Sequence, residues 1–371
     1  MYRSFVRRLL FVLPCVLFGG RAEAATVTLA WDPGTDTSIT NYSVFVGTRS
    51  GSYTTAVAVG LRTTYTFTGL ADDTVYFFAV QAQNAVAGSA LAEISFRTPP
   101  RVAAGSDLTR SDFNRDGSYD LLWYNQTSGQ AAAWLMNGTS LLESRWLNPD
   151  RVADTTWRLK GSADFNGDGK PDILWQNENT GQLAIWYLDG TYMFGSALIT
   201  PDRPGDPNWK VVAIRDLNWD GYADLIFRHK TTGQIAVWFL QGTTAYAFQM
   251  LSIPQVADLN WQIAGSADIN KDGNQDLVWQ NVATGDLAVW YLQGPTVIGT
   301  GYLSPARIAD PNWRIVSIAD VDRNGTIDLV WRHQITGTLA VWYMNGATLT
   351  GSAILSPSSV TDMAWTIVGA R

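Results

Sequence analysis

One cysteine, two histidines and a charged fraction of only 16% leave this 371-residue chain poor in several kinds of chemistry. Cys15 is the sole cysteine, so the chain cannot form an internal disulfide or assemble a thiolate metal site. Pro14 precedes it and hydrophobic residues follow it, which speaks against a lipid-modified cysteine. Beyond the N-terminus no apolar run is long enough to cross a bilayer, so no membrane insertion is expected. Lysine and arginine number 26 against 33 aspartates and glutamates, and they form no basic stripe. That balance excludes the electrostatic footprint of a nucleic-acid binder.

The first 24 residues read as a secretory signal peptide. Arg3, Arg7 and Arg8 precede an apolar run from Leu9 to Phe18, and Ala22-Glu23-Ala24 supplies a small-x-small cleavage site. The expected protein is therefore secreted, extracellular or at the cell surface. An exported protein without disulfides has to be held by its core, by ions, or by both.

The dominant feature of the rest is an acidic loop written five times with a fixed period of 52 residues. The copies begin at Asp112, Asp164, Asp216, Asp268 and Asp320. A period of that length marks a circular or solenoidal fold. Each copy puts oxygen side chains at positions 1, 3, 5 and 9 and glycine at position 6. The sets are Asp112, Asn114, Asp116, Asp120; Asp164, Asn166, Asp168, Asp172; Asp216, Asn218, Asp220, Asp224; Asp268, Asn270, Asp272, Asp276; and Asp320, Asp322, Asn324, Asp328. Hard cations take six to eight oxygens, carboxylates and carbonyls among them, so the pattern predicts up to five Ca²⁺ ions. Position 12 is tryptophan or phenylalanine rather than glutamate, and strands flank the loop, so this is not an EF-hand.

Around each loop the sequence predicts four short strands, which together make one propeller blade. In the second copy these are Asp172–Asn177, Leu183–Leu188, Ser196–Ile199 and Trp209–Ile214. An innermost strand begins at each of Trp157, Trp209, Trp261 and Trp313, whereas the first copy has none. The segment from Trp365 to Ala370 supplies the missing strand. The expectation is a five-bladed β-propeller over 112–371, closed by the C-terminal strand, which would remove the open sheet edges. Tryptophans also recur at Trp123, Trp175, Trp279 and Trp331 (with Phe227 in the third copy), and at Trp134, Trp186, Trp238, Trp290 and Trp342. They read as packing between blades, with sugar stacking as the alternative.

Residues 25–98 alternate apolar and polar positions between turn signals, as seven short strands of a β-sandwich would. With Trp31, Tyr42 and the segment Leu70–Tyr76, this part resembles a fibronectin type III domain. Pro99-Pro100 stiffens a linker over 99–111. The acidic loops resemble those of FG-GAP, or VCBS, repeats, the blades of integrin-α-type propellers, though with five blades rather than seven. The whole is thus expected to be all-β: a fibronectin type III-like sandwich followed by the five-bladed propeller.

That resemblance implies ligands on the face away from the acidic loops. Planar polar side chains recur there: Gln176 and Asn177, Arg228 and His229, Gln280 and Asn281, Arg332 and His333. An aspartate also precedes each innermost strand, at Asp154, Asp206, Asp258, Asp310 and Asp362. Both sets suit either turn capping or ligand contact. The two histidines occupy one repeat position, so neither reads as a unique catalytic group. The expected function is calcium-dependent binding of glycans or cell-surface proteins, lectin-like or adhesive. The alternatives are a structural scaffold and, with less support, a polysaccharide-degrading enzyme. No catalytic constellation emerges, and the chain is not expected to be an enzyme.

Overall fold

The structure is a computed structural model that describes residues 9–13, 25–33, 36–71, 74–97 and 111–368. Most of the expected leader and linker lies outside these residues. Among the described residues every regular element is a strand, and no helix occurs, so none is present to cross a membrane. The chain divides into two compact units.

The first unit holds β1 (Leu9–Leu13), β2 (Ala25–Trp31), β3 (Asn41–Gly47), β4 (Thr55–Gly60), β5 (Thr64–Leu70), β6 (Val75–Gln83) and β7 (Ala92–Arg97). They form a three-stranded sheet, β1-β2-β5, and a four-stranded sheet, β4-β3-β6-β7. Six of the seven expected strands therefore lie within 25–98. The seventh comes from Leu9–Leu13, inside the segment read as a leader, and pairs antiparallel with the free edge of β2. The apolar positions of the strands meet in one core that includes Val27, Leu29, Trp31, Tyr42, Val44 and Phe78. Trp31 and Tyr42 pack edge to face at 5.7 Å. The Tyr76 hydroxyl accepts the Ala71 amide at 2.9 Å, the tyrosine corner that the sequence segment implies.

The second unit repeats one antiparallel module. The first copy gives β8 (Leu121–Asn125), β9 (Gln130–Asn137) and β10 (Ser140–Arg151). The second gives β11 (Trp157–Ala163), β12 (Asp172–Asn177), β13 (Leu183–Asp189) and β14 (Tyr192–Leu198). The third gives β15 (Trp209–Arg215), β16 (Asp224–His229), β17 (Gln234–Gln241) and β18 (Thr244–Gln255). The fourth gives β19 (Trp261–Ala267), β20 (Asp276–Asn281), β21 (Asp286–Gln293) and β22 (Thr296–Arg307). The fifth gives β23 (Trp313–Ala319), β24 (Asp328–His333), β25 (Thr338–Asn345) and β26 (Thr348–Ser359), and β27 (Trp365–Ile367) ends the series.

Within a copy, consecutive strands pair antiparallel. The first copy lacks its own innermost strand, and β27 pairs with β8 in that place, Ile367 opposite Trp123. The outermost strand of the second copy starts at Tyr192, four residues before the expected Ser196, because Gly190 turns the chain tightly after Asp189 at φ 62°. The inner strands β11, β15, β19 and β23 carry a register shift at the same place, Leu159/Gly161, Val211/Ala213, Ile263/Gly265 and Ile315/Ser317, just before the acidic loop. Such bulges bend a strand and redirect the chain beyond it.

The second strand of each module is buried on both faces, which explains why it reads as an unbroken apolar run rather than an alternation. Its two faces pack against different neighbours, so the cores lie between modules rather than within them. Leu122 and Tyr124 share a core with Leu159 and Trp175, and Leu174 and Ile185 share one with Val211 and Phe227. Ile226 and Val237 meet Leu277 and Trp279, and Val278 and Val289 meet Leu329 and Trp331. A fifth core joins Val330 and Val341 of the last module to Leu121, Trp123 and Met136 of the first. No single sheet closes on itself.

Candidate metal centres

In the second to fifth copies the acidic loop runs from the end of the inner strand to the start of the second strand, and in the first it leads into β8. Its backbone is bent at two places. Position 6 is glycine in the left-handed region in every copy, for example Gly169 at φ 78° and Gly273 at φ 88°. Position 4 is left-handed as well, although only Gly167 is glycine there; Arg115, Trp219, Lys271 and Arg323 hold φ between 59° and 64°. A non-glycine residue in that region costs about 1 kcal/mol or more, so surrounding bonds must fix the shape.

Those bonds come from the candidate ligands themselves. The carboxylate of position 1 accepts the amides of positions 5 and 6: Asp112 from Asp116 (3.1 Å) and Gly117 (2.8 Å), Asp164 from Asp168 (3.2 Å) and Gly169 (2.7 Å). Asp268 does the same with Asp272 and Gly273, and Asp320 with Asn324 and Gly325. Position 3 accepts the position 5 amide at Asn114, Asn166, Asn270 and Asp322. Position 5 accepts the position 7 amide at Asp116, Asp168, Asp272 and Asn324. In the third loop, which holds Asp216 and Asp224, Asn218 donates to the Tyr246 hydroxyl at 2.5 Å and Asp220 is buried.

Position 9 does something the sequence reading missed. One oxygen of Asp120, Asp172, Asp224, Asp276 or Asp328 accepts the amide of position 2, at 2.8–3.0 Å. The other accepts an amide of the third strand sixteen residues later, from Met136, Leu188, Leu240, Leu292 and Met344, at 2.9–3.0 Å. This aspartate therefore ties the loop to the sheet. The constant spacing from position 9 to the third strand is visible in the sequence, but the pairing that makes it meaningful is not.

Burial pushes the carboxyls of Asp120, Asp172 and Asp276 up to about 7 and that of Asp328 up to about 6, aided by neighbouring aspartates and opposed by the two amide bonds. Burial also raises Asp164 and Asp268. A buried carboxylate beside other carboxylates lacks a positive neighbour, which is what a cation would supply. In the fifth loop, oxygens of Asp320, Asp322 and Asp328 all lie within 4.8 Å of one another. Two oxygens on one Ca²⁺ at about 2.4 Å can stand no more than about 5 Å apart, so this donor set fits the ion. The other loops offer an asparagine amide oxygen at position 3 instead of a third aspartate there.

The residues expected on an open ligand face lie elsewhere. Gln176, Arg228, Gln280 and Arg332 are buried in the seams between modules. Gln176 donates to the Trp209 carbonyl (2.9 Å) and accepts the Val211 amide (3.1 Å), and Gln280 does the same with Trp313 and Ile315. Arg228 reaches the carbonyls of Val256 and Asp258, and Arg332 those of Trp365, Val360 and Asp362. Asn177, His229, Asn281 and His333 close turns, each accepting an amide two or three residues on. Of the preceding aspartates, Asp154, Asp206, Asp258, Asp310 and Asp362 each cap the turn into an inner strand. The two tryptophan sets pack on each other within a module, tilted by 49–54° at 4.7–4.9 Å between ring centroids in the four tryptophan pairs.

A family model for the FG-GAP-like repeat matches residues 164–227, and one for the fibronectin type III domain matches residues 20–97. The chain carries both modules. A stretch of 106 residues is also 38% identical to a segment of Exoglucanase A from Cellulomonas fimi. That match takes in 27% of this chain and 11% of the enzyme, so the chain spans only a small part of that relative. Among solved structures, the sixth fibronectin type III domain of the human fibronectin type III domain containing protein 3 is 21% identical, with a TM-score of 0.22, covering 28% of this chain and 94% of that one. The Bacillus licheniformis rhamnogalacturonan lyase PL11 is 13% identical, with a TM-score of 0.29, covering 95% of this chain and 70% of that one.

Proposed function

We propose that the repeated unit is a five-bladed β-propeller closed by the C-terminal strand, that its acidic loops bind up to five Ca²⁺ ions, and that the protein is an exported binding module for glycans or cell-surface proteins. The observation that carries the metal reading is the convergence of Asp320, Asp322 and Asp328 oxygens within 4.8 Å, in a loop whose pattern recurs in every module. Closure is supported by β27 in the place of the first module's inner strand and by the core shared between the last module and the first. Export is supported by the charged, apolar and small-residue order of the first 24 residues. Cleavage after Ala24 would remove β1 and leave β2 as a sheet edge.

In this reading the ions are structural: they neutralise aspartates that bend the loops, and they add stability by linkage. Five related modules suit multivalent recognition, in which weak contacts add up through avidity. Local likeness to a segment of an exoglucanase supports a setting where glycans are the neighbours. No catalytic residue is assigned.

The test is a glycan array probed with the purified protein in calcium and again in chelator, alongside thermal melts in both. Lower melting in chelator and loss of array binding are expected. Unchanged melting would refute the calcium role. A folded protein silent across a broad array would point instead to a protein-binding scaffold.

A further inference from the structure

The inner strands start with a distinctive set of side chains. The second residue of each is Arg158, Lys210, Gln262, Arg314 or Thr366, and Lys160 lies two residues beyond Arg158 in β11. On a chain of net charge −7, this is a local concentration of positive charge. It lies at the ends of the strands remote from the acidic loops. Part of it is answered internally: Glu178 takes Lys160 at 2.6 Å and Lys210 at 2.7 Å.

The other part is not. A cavity of about 240 Å³ opens between β19, β23 and β27, lined by Gln262, Gln280, Arg314, Arg332, Gln334 and Thr366 together with apolar side chains. No acidic side chain lines it. Arg314 directs Nη1 at the carbonyls of Pro311 and Trp313 and one Nη2 bond at that of Val282, which leaves part of its fork of five N–H donors for a ligand. Arg332 directs Nη1 at the Trp365 carbonyl and Nη2 at those of Val360 and Asp362. Among the described residues neither makes an ion pair. Asp310 is engaged by His333 and Asn312, and Asp362 caps Ala364. The Arg332 guanidinium lies 5.3 Å from the Trp123 ring, yet its buried Nε has no acceptor. Two guanidiniums thus face one cavity with carbonyl dipoles and an aromatic ring beside them; Asp310 and Asp362 favour their charges from outside it, and no acidic side chain lines the cavity itself. Burial disfavours the charge on both.

We propose that this cavity binds a small carboxylate-bearing sugar, such as a uronate at the end of a glycan, with Arg314 taking the carboxylate and the Gln262 amide a hydroxyl. Guanidinium and carboxylate form the strongest of the ordinary charge-assisted pairs, and the amide offers both donor and acceptor. The volume is below the roughly 300–1,000 Å³ of drug-sized pockets, which suits one terminal sugar rather than an extended chain. The assignment rests on the glycan-binding reading above and names its ligand class, but it does not depend on calcium.

Calorimetric titration of the purified full chain with sodium glucuronate, glucose and sodium sulfate tests it. Glucuronate should bind at least about tenfold more tightly than glucose, the effect of one charge-assisted contact. Arg314→Gln should weaken glucuronate by about tenfold or more. Glutamine is what the repeat itself carries at the equivalent Gln262, so this variant should fold. Gln262→Glu, which sets a carboxylate at the cavity, should weaken it likewise. No glucuronate binding by folded protein overturns the proposal. So does equal binding of glucose, sulfate binding as tight as glucuronate, or an Arg314→Gln variant that binds as before. Repeating the titration in chelator separates the two readings: glucuronate binding with melting indifferent to calcium sinks only the calcium role.

Discussion

Arg323, in the last acidic loop, donates to the Ser118 hydroxyl in the first, 205 residues earlier in the chain. The same guanidinium stands 3.9 Å from Asp116. Beside it, Val321 and Ile367 join the core that Trp123 and Met136 begin. The last module thus shares a core and a hydrogen bond with the first.

Removing the chain from Trp365 onward should therefore damage the first module, although it is distant in sequence. β8 would lose its partner, the shared core would lose Ile367, and the buried Arg332 would lose the Trp365 carbonyl. A loss of at least about 3 kcal/mol is expected, comparable to deleting a large core side chain. Urea unfolding of the truncated and full chains checks it, and matching midpoints would refute closure.

Asp328 and Asp322 should separate fold from ion. Asp328→Ala strands the buried amides of Val321 and Met344, at about 1–3 kcal/mol each, so the calcium-free protein should already be destabilised. Asp322 is exposed and accepts only the loop amide of Asn324 on the backbone. Asp322→Ala should leave calcium-free melting nearly unchanged while weakening calcium binding at that loop. Melts in chelator and calcium titrations of both variants give the comparison.

The raised carboxyls set a pH dependence for the calcium-free protein. Asp120, Asp172 and Asp276 titrate near 7 and Asp328 near 6 when folded, against an ordinary 3.8. The folded state then holds more protons than the unfolded state between those values. Their contribution is fully present below about pH 4 and is lost as pH rises through about 6 to 7. Chelated protein should melt higher at about pH 5 than at about pH 8. Saturating calcium should shrink or invert that difference, because the ion favours the ionised carboxylates. Chelated melts insensitive to pH would contradict the burial of these groups.

His229 and His333 stand where other modules have asparagine. His229 accepts the Thr232 amide on Nδ1 (3.2 Å) and meets Asp206 through Nε2 (2.9 Å). Asn281 accepts the Thr284 amide (3.1 Å) and donates to Asp258 (3.3 Å). His229→Asn should cost less than about 1 kcal/mol, and His229→Ala about 1–3 kcal/mol, since alanine leaves the turn amide unpaired. A ligand-binding loss in His229→Asn without loss of stability would reveal a role beyond turn closure.

Much of this protein is written in one dimension. The 52-residue period, the oxygen ladder of the loops and the glycines at position 6 lie in the sequence because they are local: a turn, a left-handed residue, a carboxylate facing the amides next to it. The missing tryptophan strand of the first module and its replacement at Trp365 are legible for the same reason, since a repeat exposes its own gaps. What the sequence leaves open is which neighbour each polar group will meet. Gln176 and Arg332 look like surface ligands in sequence, yet packing between modules buries them against the backbone of the next inner strand. Asp172 looks like a metal ligand alone, yet strand pairing brings the Leu188 amide to it. The cavity beside Arg314 is lined from three inner strands that are far apart in the chain, so it is not visible in any one repeat. Local chemistry sets the pattern of each module. Side-chain partners across seams depend on tertiary packing, because a buried polar group must take whatever donor or acceptor the neighbouring chain presents.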